Sequence, residues 1–208
     1  MELKPHDLLR VYAMEDLVAD LPFPAWAKEA VLNAPFVVVR RAETSKGMVA
    51  VGIRGPQRGQ RLACWLPIGV VKEVITPFDL AERKNWKSVY TGDAPATVTS
   101  LEQISLLMKE SAYQWGPTGS TGFELATGVS TVKERSDLDL IIDMPGTLSV
   151  RTATELLNSM EDISAVRLDI QLNTPYGGIS LKEFTAASTV LVKTNHGPVL
   201  MDVSNITL

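Results

Sequence analysis

Two short runs of alternating polar and apolar residues, separated by one helical stretch, limit the folds open to this chain more than any other feature. Asp137-Leu138-Asp139-Leu140-Ile141-Ile142 and Val166-Arg167-Leu168-Asp169-Ile170-Gln171-Leu172 both carry the two-residue period of a strand. The segment from Ser149 to Met160 between them has a helical pattern. Two strands joined by a crossover of this kind can lie in one sheet. Side chains two apart on a strand point the same way, so Asp137 and Asp139 share a face while Leu138 and Leu140 pack on the other. The crossover then brings Asp169 beside the pair.

Carboxylates held side by side repel unless a cation lies between them, and an all-oxygen set suits Mg²⁺, which is usually held by one or two carboxylates plus substrate phosphates. The plain alternative is a solvated strand face. What favours the metal is the order of motifs. A glycine-rich turn, Gly116-Pro117-Thr118-Gly119-Ser120-Thr121-Gly122, comes first, then a linker from Thr121 to Ser136, then the acids. Glycines permit close backbone approach, and a helix starting there offers free N–H groups to a phosphate. Gly119 and Ser120 are the candidate phosphate holders, and Lys133 and Arg135 stand in the linker just before the acids. A metal face and a phosphate cradle together indicate phosphoryl or nucleotidyl transfer.

The first 92 residues hold thirteen Lys and Arg against ten Asp and Glu, a net of +3. The remainder hold seven against fourteen, a net of −7, so the basic half precedes the acidic one. A net charge of −4, with no basic stripe interleaved with aromatics, argues against a nucleic-acid substrate. Apolar runs all fall short of the roughly 18 residues a membrane span needs, and the N-terminus lacks a signal-peptide pattern, so a cytoplasmic protein is expected. Cys64 is the single cysteine, which excludes an internal disulfide, and its apolar neighbours make it a buried hydrophobe rather than a nucleophile.

The rest of the chain predicts mixed structure. Asp7 is placed to cap a helix carrying Leu8, Leu9 and Tyr12, and Pro24 to open a short helix ending near Asn33. Phe36–Arg41, Met48–Ile53 and Arg61–Leu66 have strand character. Between the last two, Arg54, Arg58 and Arg61 fall in a glycine-containing loop, either a solvated hairpin or a clamp for phosphate or an acidic partner. Thr76-Pro77 opens another helix. Residues 86–96 form a connector, and the domain boundary is set there, giving an N-terminal domain of 1–92 and a catalytic domain of 93–208. Ser100-Leu101-Glu102-Gln103 has the form of a capping box opening a helix with Leu101, Ile104, Leu107, Met108 and Ser111 on its buried face. Near the end, Thr189–Thr194 and Val199–Val203 form a hairpin. There, Lys193 is a candidate pyrophosphate contact and His196 a solvated turn residue.

Gly119-Ser120, followed by Asp137-x-Asp139 and a later strand aspartate, Asp169, resembles the nucleotidyltransferase superfamily that includes DNA polymerase beta. More closely, GSTGFELATG followed by SDLDL, with PHDLLR, VGIRGPQRGQRLA, TPYGG and HGP, resembles the phosphoribosyl-dephospho-CoA transferases of malonate decarboxylase, also called holo-acyl-carrier-protein synthases. That resemblance covers nearly the whole chain. It implies an α/β or α+β fold with a C-terminal polymerase-beta-like nucleotidyltransferase domain. It also implies transfer from triphosphoribosyl-dephospho-CoA to a serine of the apo acyl-carrier subunit, with loss of pyrophosphate. Under it, Asp137 and Asp139 are Mg²⁺ ligands and Asp169 is a third ligand or general base. Gly119 and Ser120 hold the terminal phosphates, Lys133 and Arg135 neutralise pyrophosphate, and the arginine loop meets the acidic carrier. His6 is a residue to watch on the resemblance alone. The acids do not distinguish donors. Transfer from an ordinary nucleoside triphosphate to another hydroxyl, or a non-catalytic carrier-binding module, therefore stay open.

Overall fold

The computed structural model describes residues 2–43, 45–57, 59–90, 92–144 and 148–206. Its architecture is α/β, with two sheets and helices packed on them. The first sheet is antiparallel and has five strands, β1 (Leu8–Arg10), β2 (Phe36–Val39), β3 (Met48–Arg54), β4 (Arg61–Pro67) and β5 (Val74–Ile75), in the order β4-β3-β2-β1-β5. Helix α1 (Ala25–Asn33) follows Pro24, whose fixed φ suits the N-cap, and buries Ala27 and Val31.

Both faces of this sheet are covered. Leu9, Val37, Val39, Val51, Ile53 and Leu66 pack into one core with α1, while Leu8, Phe36 and Ile75 enter a second core shared with the C-terminal half. A strand buried on both sides has no need of polar alternation, which accounts for the unbroken run Phe36-Val37-Val38-Val39. Cys64 belongs to the first core, and burial pushes its thiol up to about 11, as expected of a packing residue.

Helix α2 (Pro77–Arg83) begins with a full capping box. Thr76 Oγ1 accepts from Asp79 N at 3.0 Å and Asp79 Oδ2 accepts from Thr76 N at 2.8 Å. Within the expected connector, α3 (Trp86–Val89) buries Trp86 in the shared core. Helix α4 (Ala96–Leu107) starts four residues before the anticipated Ser100 cap. Ser100 is instead buried inside the helix, where its Oγ accepts from Ala165 N at 2.9 Å. The buried stripe accordingly includes Thr97 and Val98 with Leu101, Ile104 and Met108, and Leu107 is turned outward.

The second sheet has six strands, in the order β11-β10-β9-β8-β7-β6. They are β6 (Trp115–Pro117), β7 (Leu138–Asp143), β8 (Leu168–Thr174), β9 (Gly177–Ser180), β10 (Thr189–Thr194) and β11 (Gly197–Asp202). Helix α5 (Gly119–Thr127) follows β6, α6 (Val150–Ile163) crosses from β7 to β8, and α7 (Leu181–Ala186) lies between β9 and β10. Strands β7 and β8 pair in parallel and all other pairs in this sheet are antiparallel, so α6 is the anticipated crossover. Its N-cap, Ser149, accepts from Thr152 N.

The Asp7 expectation is corrected. Asp7 caps a turn, its Oδ2 accepting from Lys4 N at 2.8 Å, and Leu8–Arg10 form a strand between β2 and β5. The same local acceptor serves a turn or a helix start, and pairing with two strands decides between them. Buried Glu124 on α5 organises the return to β7. Its carboxylate accepts from Thr131 N and Val132 N, both at 2.7 Å, and from the Tyr90 hydroxyl. Glu124→Ala strands those backbone donors and is expected to cost about 2–4 kcal/mol. Urea unfolding should show it as a lower midpoint with an unchanged slope.

Candidate active site

Three local features put the glycine turn against the acid strand. Pro117 pairs with Leu140 across β6 and β7, Thr118 N donates to the Asp139 carbonyl at 2.9 Å, and Gly119 then turns into α5 at φ +58°. A Cβ on Gly119 would overlap the Asp139 carboxylate, so that carboxylate lies directly on the glycine backbone. Gly128, at φ +73°, closes α5 at its C-cap. No side chain caps the start of α5, leaving its first N–H groups without an intrahelical partner.

Asp139 and Asp169 are register partners on the parallel pair β7 and β8, on strands spaced about 4.8 Å apart. Burial raises the Asp139 pKa above the ordinary carboxylate range, the neighbouring Asp169 and Asp137 charges add to that, and Arg54 and Arg61 oppose it. Asp137 lies just before β7, and its Oδ2 is 3.7 Å from Arg167 Nε, an ion pair with no local signal in the residues around either partner. Asp169 is exposed where it lines the cavity described next.

That cavity, of about 860 Å³, runs between the two sheets and takes its walls from both halves of the chain. Gly119, Asp139 and Asp169 line it, as do Arg54 and Arg61. The two arginines correct the loop expectation. They are cross-strand partners at the ends of β3 and β4, the last pair before the turn, so the hairpin carries two guanidinium groups from the basic half to the carboxylates of the acidic half. Arg58 lies outside the described residues. Lys133 and Arg135 are exposed on the stretch after α5 and do not line the cavity. Ser120 is buried in the first turn of α5, with its carbonyl accepting from Thr131 Oγ1 at 2.9 Å.

His6, Gln171, Arg41 and Lys193 line the cavity away from the acids. His6 takes a positive φ of 79° and is tied to β2 by its N–H donating to the Val39 carbonyl at 2.9 Å. Its Nε2 is 3.1 Å from Gln171 Nε2. An amide nitrogen only donates, so this contact is a hydrogen bond when that imidazole nitrogen is unprotonated and accepts. Burial, with Arg41 and Lys193 nearby, pulls the His6 pKa down to about 4, in agreement with a neutral ring. His196, by contrast, is exposed in its turn, 3.2 Å from Glu43 Oε1.

A divalent cation fits the acid end by its donor chemistry. Asp139 and Asp169 supply oxygen only, and burial, followed by the Asp169 charge, raises the Asp139 pKa, a penalty that a bound cation would relieve. Among the described residues no group of three or more His, Cys, Asp or Glu closes into a metal cluster. A pair of carboxylates would suit a metal completed by substrate phosphates. Among the same residues no helix is long and apolar enough to cross a membrane.

Two family profiles match the chain, the phosphoribosyl-dephospho-CoA transferase MdcG N-terminal domain over residues 4–77 and its C-terminal domain over residues 83–204. The chain belongs to the phosphoribosyl-dephospho-CoA transferase family. It is a transferase. Proteins of that name from Azotobacter vinelandii and Pseudomonas putida strain W619 are 37% and 38% identical to it. Each alignment covers 93% of this chain, with 90% and 91% of the relative. The Pseudomonas aeruginosa relative is 36% identical over 96% of this chain and 92% of its own length. No solved structure matches the transferase. The two profiles meet at α2, which packs against β6, the strand leading into the glycine turn.

Proposed function

We propose that this transferase moves the phosphoribosyl-dephospho-CoA group from 2'-(5''-triphosphoribosyl)-3'-dephospho-CoA to a serine of the apo acyl-carrier subunit of malonate decarboxylase. The observation that carries the reading is the register pair Asp139 and Asp169, with Asp139 seated against Gly119 at the start of α5. It combines a carboxylate pair with backbone N–H groups suited to a triphosphate. The relatives' name supplies the transferred group.

In this reading the carrier serine oxygen attacks the α-phosphorus of the triphosphate. The bond from that phosphorus to the pyrophosphate oxygen breaks and pyrophosphate leaves. Asp137 and Asp139 would hold Mg²⁺, which would supply charge compensation for the transfer. Asp169, exposed beside Asp139, either joins that oxygen set or takes the serine proton. Gly119 brings the backbone N–H groups of α5, Ser120 among them, to the phosphates. Arg54 and Arg61 offset part of the carboxylate charge, easing the entry of a highly charged donor beside the acids. Lys133 and Arg135 stand on the segment leading to Asp137, where an acidic carrier or released pyrophosphate would meet them.

Intact-mass measurement of the apo carrier, incubated with donor, Mg²⁺ and this protein, tests the reaction. A gain equal to the phosphoribosyl-dephospho-CoA group supports it. Turnover of an ordinary nucleoside triphosphate, with no mass gain on the carrier, refutes it. Replacing Arg54 and Arg61 together with Ala should raise the donor KM about 10- to 100-fold, from the loss of charge-assisted hydrogen bonds. An unchanged KM would reject the clamp.

A further inference from the structure

The cavity is larger than a triphosphate and its metal require, and its polar groups divide into two sets. At one end the charges acting on Asp139 are Asp169, Asp137, Arg54 and Arg61. At the other the charges acting on His6 are Arg41 and Lys193, with no acid. Strand β8 connects the two ends. Asp169, Gln171 and Asn173 alternate with buried Ile170 and Leu172, so they share one face and stand about 6.6 Å apart at each step. Asp169 belongs to the carboxylate pair, Gln171 meets His6, and Asn173 Oδ1 accepts from Arg41 Nη2 at 3.2 Å.

The far end is held in place more firmly than a solvated surface would be. Asn173 Nδ2 donates to Asp143 Oδ1 at 2.6 Å, and Asp143 is 3.5 Å from Lys4 Nζ. This chain fixes the amide so that its oxygen faces Arg41. The guanidinium is therefore oriented by a neutral acceptor and keeps its full charge. Gly178 completes the arrangement, because a Cβ there would meet Arg41 Nη2 and the Gln171 amide. Lys193 is the register partner of Gly178 across β9 and β10. Neither Arg41 nor Lys193 has a carboxylate within salt-bridge distance among the described residues.

We infer that Arg41 and Lys193, with Asn173 orienting the first, form a second anion site that holds the diphosphate of the donor's CoA arm. This rests on the proposed function, since that donor carries two anionic groups, the reacting triphosphate and the diphosphate leading to pantetheine, separated by two ribose rings. Two ends of one cavity, one carrying Arg54 and Arg61 beside carboxylates suited to a cation and the other Arg41 and Lys193, match such a molecule, whereas an ordinary nucleoside triphosphate has one anionic group and leaves the second end empty. Neutral His6 and the Gln171 amide line the floor between them.

Titration calorimetry of the full chain with dephospho-CoA, which has the diphosphate and lacks the triphosphate, tests the site without turnover. Arg41→Ala and Lys193→Ala should each weaken binding about tenfold or more, as expected for losing a charge-assisted contact. Both should leave the affinity for inorganic triphosphate with Mg²⁺ unchanged, and Asp139→Asn should do the reverse. Lys193 is exposed on a strand, so its variant keeps the test informative if Arg41→Ala folds poorly. Equal dephospho-CoA affinities for wild type and Lys193→Ala would overturn the second site while leaving the proposed function standing. Failure of the wild-type protein to bind dephospho-CoA at all would overturn both. Loss of inorganic pyrophosphate binding in these variants, with dephospho-CoA binding intact, would reassign the pair to the leaving group and reject the inference.

Discussion

Asp139→Asn is expected to lower the transfer rate by about 10³-fold, the scale lost when a preorganised charge at the reacting phosphate is removed, and to make the metal-free protein more stable. Activity falls because the amide cannot replace a carboxylate as a cation ligand. Stability rises because Asp139 is partly buried beside Asp169 and Asp137, and this environment raises its pKa. A carboxyl whose folded pKa exceeds its unfolded value costs folding free energy once it ionises. The cost is absent below the unfolded pKa and grows as pH rises through the folded one. Relief of unfavourable charge commonly gains roughly 0.5–2 kcal/mol. Melting curves without metal should place Asp139→Asn above wild type at pH 7 and level with it at pH 3. Saturating Mg²⁺ with triphosphate should raise the wild type and leave the variant unmoved. A variant that is both inactive and less stable at pH 7 would mean that Asp139 is a structural residue.

Gly116→Ala should cause the largest loss of stability, more than about 4 kcal/mol, the level at which a core substitution is diagnostic of overpacking against atoms that cannot yield. A Cβ at Gly116 would overlap the carbonyl of Pro77, the first residue of α2. The obstructing atoms are backbone, held by the Thr76 capping box, and Gly116 itself pairs with Ile141 in the sheet. Neither side can move without breaking hydrogen bonds. Soluble yield and urea midpoint should both collapse. Gly197→Ala, at a turn where a Cβ meets nothing within 4 Å, should cost only the strain of its φ of +112°. A Gly116→Ala variant as stable as Gly197→Ala would show that α2 can shift away from β6.

The parts of this protein legible in sequence are those set by local periodicity and short-range hydrogen bonding. The β7–α6–β8 crossover, the pairing of Asp169 with Asp139, the α5 start at Gly119 and the Thr76 cap all follow from residues close in sequence or from the two-residue strand period. Asp7 and Ser100 misled because a side-chain acceptor is ambiguous by nature. Asp7 caps a turn ahead of a strand, and Ser100 satisfies an amide 65 residues away. Arg54 and Arg61 looked like loop residues, and their approach to Asp139 depends on how two sheets dock, which no local pattern encodes. Arg41 gave no signal of its own. Gln171 and Asn173 could have been found, because they continue the face of β8 that begins with Asp169.

Leu8 and Leu9 sit next to each other in β1 and enter different cores, one made within the N-terminal half and one shared with the C-terminal half. A strand used in this way ties the two halves into a single folding unit. Opening the shared core would strip apolar cover from Phe36 and Ile75 on one side and from the β7 and β8 layer on the other, so neither half has an inexpensive partly unfolded state. Unfolding should therefore occur in one transition despite two sheets and two family profiles. The cavity lies on that same seam, which makes any ligand filling it a brace across the joint. Occupancy at a hundred times Kd would add about 2.7 kcal/mol to the whole molecule rather than to one half.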